Sequence, residues 1–352
     1  MTYIGSGLGA QLMMKQETVP GTAVAPDHSY DFESETLGAK KKVVQVQTLR
    51  AGNMFDRAAG RFVTQRAAAG DINMVFPTKQ AGLLLANMLG SFATTPTQIA
   101  STTAYSQVHL PGSTQGKALT VQIGKPPTTG SAAEPFTYPG SKITDWELSF
   151  AQSDILKLKL TLDAFDELTT ATTPASPALG SWTPPTYSYF SFTGGSLLAG
   201  GTVSTTSGVT SVTGGTAVAT ALGGKITGKT GVKIDNYFLG NGTTKTEQNQ
   251  NAFRSVTGSV DVEFSSRAAL YDAYRSDTSF ALELKFVSPL NAGVGNPFSL
   301  DIILPVCFWE DGASPQVAGP DVLKMSVPFT TVIDDAGDPE IQITYVSTDT
   351  SI

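Results

Sequence analysis

The clearest pattern along the chain is strict alternation of apolar and polar residues, and one unit of it occurs twice. After Gly70, the residues Ile72, Met74 and Phe76 fall on one side, and Asp71, Asn73 and Val75 on the other. That is the period of a half-buried strand. Thr78 then stands where a helix N-cap would. Leu84, Leu85, Met88 and Leu89 form an apolar face behind it, and Gly90 supplies the stop. After Gly258 the order returns. Val260, Val262 and Phe264 alternate with Ser259, Asp261 and Glu263, Ser266 takes the capping position, and Leu270, Tyr271 and Tyr274 predict a helix face. Gly70, Ile72, Met74, Phe76, Thr78 and Lys79 match Gly258, Val260, Val262, Phe264, Ser266 and Arg267 without a gap, so an internal duplication is expected.

Other alternating runs fill both halves. Tyr30, Phe32 and Leu37 open a first strand. Leu119, Val121 and Ile123 make another, and Trp146, Leu148 and Phe150 a third. The cleanest is Leu156, Leu158, Leu160 and Leu162 against Lys157, Lys159, Thr161 and Asp163. Later runs start at Phe280, Leu300, Leu323 and Ile341. Strands far outnumber helices, which predicts a mainly β fold of two sandwich or barrel units, each with one short packed helix. The expected divisions are an extended N-terminal arm over 1–30, a first unit over 31–167, a Thr/Pro-rich linker over 168–186 and a second unit over 187–352. Gly124 to Ser141 reads as a long Pro/Gly loop. The Gly/Thr-rich stretch 194–231 has no counterpart in the first half, and is a hairpin or a surface insertion. Its β-branched content favours the hairpin.

Between the first two strands lies a basic stretch, Val43 to Gly70, carrying Arg50, Arg57, Arg61 and Arg66 with Phe55 and Phe62 between them. Structureless loops beyond about 12–15 residues are uncommon unless they have a function. Arginine pairs bidentately with carboxylates, and buried phenylalanines anchor interfaces. The stretch is therefore expected to dock on a neighbouring subunit. The second copy has a shorter Asn/Gln-rich loop, Leu239 to Asn251. Tyr237, Phe238, Asn241 and Arg254 are its candidate contact residues, and the two copies are expected to make different contacts.

Composition narrows the function. Charged residues are 15% of the 352, against about 25% in ordinary soluble domains. Either partners cover much of the surface, or Thr and Ser take the exposed positions. The net charge of −7 argues against a protein that grips phosphates over its whole surface. One cysteine leaves no internal disulfide framework. No signal peptide is expected, and the longest apolar run, Ala81 to Leu89, is too short for a membrane span of about 20 residues.

Candidate chemistry is sparse. Gly223 to Thr230 (GGKITGKT) fits the phosphate-loop pattern by letter, but that motif needs a strand before it and a helix after it. Here Gly231 to Tyr237 alternates like a strand, so a chance match is expected. Gly5 to Ala10 has too little chain before it to be a dinucleotide fingerprint. His28 and His109 have no ligand cluster around them. Asp334-Asp335 and Asp338-Glu340 read as a solvated turn, and Asp163 with Asp166 as a solvent-facing strand end. No enzyme activity, cofactor or metal is expected.

Three groups of residues carry a family resemblance. The first is Phe32-Glu33-Ser34-Glu35 and Leu49-Arg50-Ala51-Gly52. The second is Gly70-Asp71-Ile72 with Pro77-Thr78-Lys79 and Gly82-Leu83-Leu84. The third is Gly319-Pro320-Asp321-Val322-Leu323, Ser326-Val327-Pro328-Phe329 and Thr348-Asp349-Thr350-Ser351. Together they resemble the tail tube proteins of long-tailed bacteriophages, over nearly the whole chain. The resemblance implies two tail-tube-like domains and a structural virion protein. Such proteins stack as rings into a hollow tube through which DNA is delivered, and neighbouring sheets close into a barrel. Two domains per chain would make a trimeric ring with pseudo-sixfold symmetry. Implied partners are other copies, a tape measure protein in the lumen, tail-end proteins and DNA in transit without tight binding. Assembly would take place in the host cytoplasm, with no membrane. A polar, net negative lumen is expected, with Asp71, Asn73, Ser259, Asp261 and Glu263 as candidates to face it, although inner and outer faces alternate identically. Alternatives are a distal-tail, terminator or decoration protein, or a surface β-adhesin.

Overall fold

Strand Glu134–Ala151 shows how the sheets are made. Its first part pairs with Leu119–Lys125, from Lys125 opposite Glu134 to Leu119 opposite Ser141. Its second part enters another sheet, between Lys157–Ala164 and Ala221–Lys229. Irregular pairing between Leu119 and Val121, and between Thr161 and Leu162, marks the change of sheet. The expected Pro/Gly loop is thus partly strand. Tyr138 is buried there, and its hydroxyl donates to the Leu37 carbonyl at 3.1 Å, so core burial overrides the local turn signal. This computed structural model describes residues 7–126, 133–266, 271–312, 314–315, 317, 319–320, 322–334 and 337–352.

The long sheet runs from Gly38–Gln45 through Arg61–Val75, Lys157–Ala164, the end of Glu134–Ala151, Ala221–Lys229 and Ser255–Glu263 to Lys324–Thr331. Its inner side carries Ile72, Leu160, Trp146, Leu148, Ile226, Val260 and Val327, all buried. At about 25 cal/mol per Å², each such side chain contributes roughly 1.5–3 kcal/mol before entropy is set against it.

The two halves repeat one pairing order. Gln11–Gln16 lies between His28–Tyr30 and Leu119–Lys125, as Gly195–Ala199 lies between Thr216–Ala217 and Phe280–Gly293. The register shift at Leu119/Val121 recurs at Phe280/Leu282. Residues 11–30, expected as an extended arm, therefore include core strands, and Leu12, Met13 and Met14 are wholly buried. Most of the Gly/Thr-rich stretch likewise has a counterpart in the first half. Only Thr202–Thr206 and Val209–Thr213 stand apart, as a separate two-stranded hairpin. Gln342–Ser347 joins the halves a second time, between Asn296–Trp309 and Tyr105–His109.

Helix Ala81–Leu89 is buried along its whole length. Gln80, not Thr78, holds the N-cap position, and its backbone N–H donates to Asp349 Oδ2 at 2.6 Å. The Thr78 hydroxyl is instead engaged with the backbone of Ser188. Gly90 caps the C-terminus with φ 87°. The second helix is described over Tyr271–Arg275; the expected contributions of Arg267 and Leu270 lie outside the described residues.

Candidate functional site

The basic stretch is a hairpin arm with a short tip. Gly38–Gln45 pairs with Arg61–Val75 from Ala69 out to Arg61, with a bulge between Lys42 and Val43. Val43, Val44, Phe62 and Val63 have the side chains that favour strands, so Arg61, Phe62 and Arg66 lie on a strand where a loop was expected. Arg50, Phe55 and Arg57 remain in the tip over 46–60. That tip exposes Leu49, Met54 and Phe55 at 106%, 96% and 89%. Apolar residues held out on a two-stranded ribbon contribute little to the stability of a lone chain.

The loop over 230–254 behaves differently. It folds back onto the first half of its own chain. The Tyr237 hydroxyl donates to the Arg66 carbonyl at 2.9 Å, and the Arg66 N–H donates to the Thr243 carbonyl at 2.7 Å. Arg254 donates to the Leu89 and Gly112 carbonyls, closing the C-terminal end of the buried helix. Lys245 reaches both carboxylate oxygens of Asp163, and Gln248 Nε2 donates to the Asp163 and Gly140 carbonyls. Beside them Lys142 Nζ donates to Glu247 at 2.6 Å and to the Thr114 and Gln248 carbonyls.

Asp163, expected at a wet strand end, is thus a buried ion-pair partner. Burial raises its pKa, and Lys245 and Gln248 oppose that rise. Burial also lowers the Lys142 ammonium, against the pull of Glu247. Of the four candidates in this loop, Tyr237 and Arg254 serve contacts within the chain. Asn241 and Phe238 are exposed, Phe238 at 62%. Lys245, Glu247 and Gln248 were not singled out from the sequence, because their partners lie about a hundred residues away.

The outer side of the long sheet gathers Asp71, Asn73, Ser259, Asp261 and Glu263 on one polar face. Charge changes sign strand by strand. Asp71 is followed by Lys157 and Lys159, then by Asp145 and Glu147, Lys225 and Lys229, Asp261 and Glu263, and Lys324. Lys159 lies 2.9 Å from Asp71, and Lys225 3.5 Å from Glu147. Partial burial raises the Asp71 carboxyl, but the Thr161 hydroxyl and the Lys159 ammonium outweigh it and leave the pKa below its usual value. Acidic and basic residues alternate in equal number across this face.

Gly223 to Lys229 lie on Ala221–Lys229, an interior strand of this face, with no helix after it. Its glycines answer to packing: a Cβ on Gly228 would fall inside the Trp146 indole, and one on Gly224 would lie 2.9 Å from Phe150 Cζ. Among the described residues, no group of three or more His, Cys, Asp and Glu could hold a metal, and no helix is long and apolar enough to cross a membrane. His109 is buried between Ser91 and Gln107, and Cys307 is buried and free.

A mainly β chain of extended sheets, with an apolar-tipped arm held out from one end, is built as a component of a larger assembly. The family model for phage tail tube proteins matches residues 7–331, and the chain belongs to that family. It is a structural component of the virion that self-assembles into the tail tube and associates with other tail proteins. No curated protein matches the chain.

Proposed function

We propose that the chain forms rings that stack into a hollow tube delivering DNA to the host. Each chain is read as two tandem tail-tube-like domains, so that three chains complete a ring with pseudo-sixfold symmetry. The observation that carries this reading is the repeated strand order, with the two halves joined into one continuous sheet by the pairing of 145–151 with 223–229. The polar face of that sheet lines the lumen. Its balanced columns let a polyanion slide, because no uniform basic surface releases counterions and traps phosphates. A tape measure protein occupies the lumen before DNA does, and assembly takes place in the host cytoplasm.

The hairpin arm docks on the next ring through Arg50, Phe55, Arg57, Arg61, Phe62 and Arg66. Charge reversal at Arg57 and Arg61 is the test: it blocks stacking, seen by electron microscopy, while the thermal unfolding curve stays in place. Normal tubes from that variant would remove the arm from the docking role. Mass measurement of an isolated ring tests the trimer, and six chains would refute it.

A further inference from the structure

Asn241 and Gly242 form the only Asn-Gly step in the chain. They stand in a turn of the loop over 230–254, and both are exposed. Gly242 has φ 68° and Gly240 φ 87°, a backbone region that glycine enters without steric cost. A Cβ on either would meet nothing within 4 Å. The Gly242 N–H meets no acceptor among the described residues. The Asn241 side-chain amide is held by one long contact, from Nδ2 to the Thr244 carbonyl at 3.4 Å. A free backbone nitrogen thus follows a lightly held side-chain amide, with no side chain to keep them apart and with solvent at hand.

The same turn carries the loop's ties to the first half of the chain. The Thr243 carbonyl accepts the Arg66 N–H at 2.7 Å, and the Tyr237 hydroxyl donates to the Arg66 carbonyl at 2.9 Å. Further on, Lys245 is fixed by its buried pairing with Asp163. A change in backbone length between 241 and 242 therefore falls between two anchored residues, Tyr237 and Lys245, and next to the Thr243 carbonyl.

We propose that Asn241 is a site of spontaneous modification, and that its conversion loosens the tie between this loop and Arg66. Gly242 N gives up its proton to solvent base and attacks Asn241 Cγ. The new C–N bond closes a five-membered succinimide, the Cγ–Nδ2 bond breaks, and Nδ2 leaves as ammonia. Water then opens the ring. Attack at Cγ yields aspartate, whereas attack at the backbone carbonyl yields isoaspartate, in which the main chain runs through the side chain and is one carbon longer. The sequence consumes only water, and either product carries a carboxylate in place of a neutral amide. A subunit held in a finished virion is not replaced, so the product accumulates with age.

The test is to age the purified full chain in mildly alkaline buffer under native conditions. Isoelectric focusing follows the charge, and mass spectrometry of the tryptic peptide from Ile234 to Lys245 locates it. An acidic form should build up at Asn241 at least tenfold faster than at any other asparagine, including Asn249 and Asn251 of the same loop, as a mixture of aspartate and isoaspartate. Asn241→Gln should remove that form and leave the unfolding curve in place. Native-state hydrogen exchange at the Arg66 amide should be at least tenfold faster in aged than in fresh protein, and unchanged on ageing in Asn241→Gln. Asn241→Asp adds the charge without the extra carbon, and should exchange at the rate of fresh protein. Conversion no faster than at Asn249, or an equal acidic shift in aged Asn241→Gln, would overturn the site. Full conversion with unchanged exchange at Arg66 would overturn the loosening, and exchange in Asn241→Asp as fast as in aged protein would overturn the longer backbone as its cause.

Discussion

Lys245 Nζ lies 2.6 Å from each carboxylate oxygen of Asp163, and the two residues come from opposite halves of the chain. Both side chains are almost wholly buried, at 1% and 8% exposure. A pair of this kind gives modest net stability when intact, but removing one partner leaves an uncompensated charge, at a cost of about 3–5 kcal/mol. Lys245→Met is therefore expected to lower the unfolding free energy by about that amount in urea titration. Asp163→Leu with Lys245→Met should cost less than Lys245→Met alone. A single-variant loss below roughly 1 kcal/mol would mean that the pair is wet.

Gly228 packs under the Trp146 indole at the seam between the halves. A valine there must push the two strands apart or move the indole, and overpacking of this kind typically costs about 1–3 kcal/mol. Gly228→Val should lower the midpoint of thermal unfolding by several degrees. Gly319→Ala, with open space around it, is the matched control and should leave the midpoint unchanged.

Burial lowers the His109 pKa from 6.5 to about 4. The fold therefore holds the imidazole neutral, while the unfolded chain protonates it below about 6.5. Between those values the unfolded state binds more protons, so stability rises with pH and is lost as pH falls through the window. The shift corresponds to about 3 kcal/mol at most. His109 sits opposite Ile343, on a strand that ties the first half to the second, so acid should loosen that tie early. Denaturant midpoints measured from pH 7 to pH 4 should fall, and a His109→Gln variant should flatten this part of the curve.

The alternating strands could be read directly from the sequence because each has one dry face and one wet face, as Leu158, Leu160 and Leu162 against Lys157 and Lys159 illustrate. The buried helix and its Gly90 stop were equally clear. Elements whose burial comes from distant partners were not. Strand 134–151 changes sheets midway, so its pattern has no single period. Leu12, Met13 and Met14 are buried on both faces and show no alternation. Asp163 looked solvated because Lys245, which neutralises it, is 82 residues away. Thr78 lost its capping role to a backbone contact with Ser188, 110 residues on. In the arm, charge and aromatic content were visible, but Gly38 to Gln45 pairing with Arg61 to Ala69 shortened the loop to its tip.

That tip separates two ways in which rings could hold together. Leu49, Met54 and Phe55 are almost fully exposed, and burying each in a partner would contribute roughly 1.5–3 kcal/mol. Replacing all three with serine removes no contact within the chain, so unfolding free energy should change by less than about 0.5 kcal/mol. Tube growth should suffer far more. Even a net loss of about 1.4 kcal/mol per contact weakens association tenfold, and the critical concentration, read by light scattering, should rise at least that much. If growth is unchanged in this variant while charge reversal at Arg57 and Arg61 still blocks it, the arm docks through its guanidinium groups alone and the apolar tip remains in water.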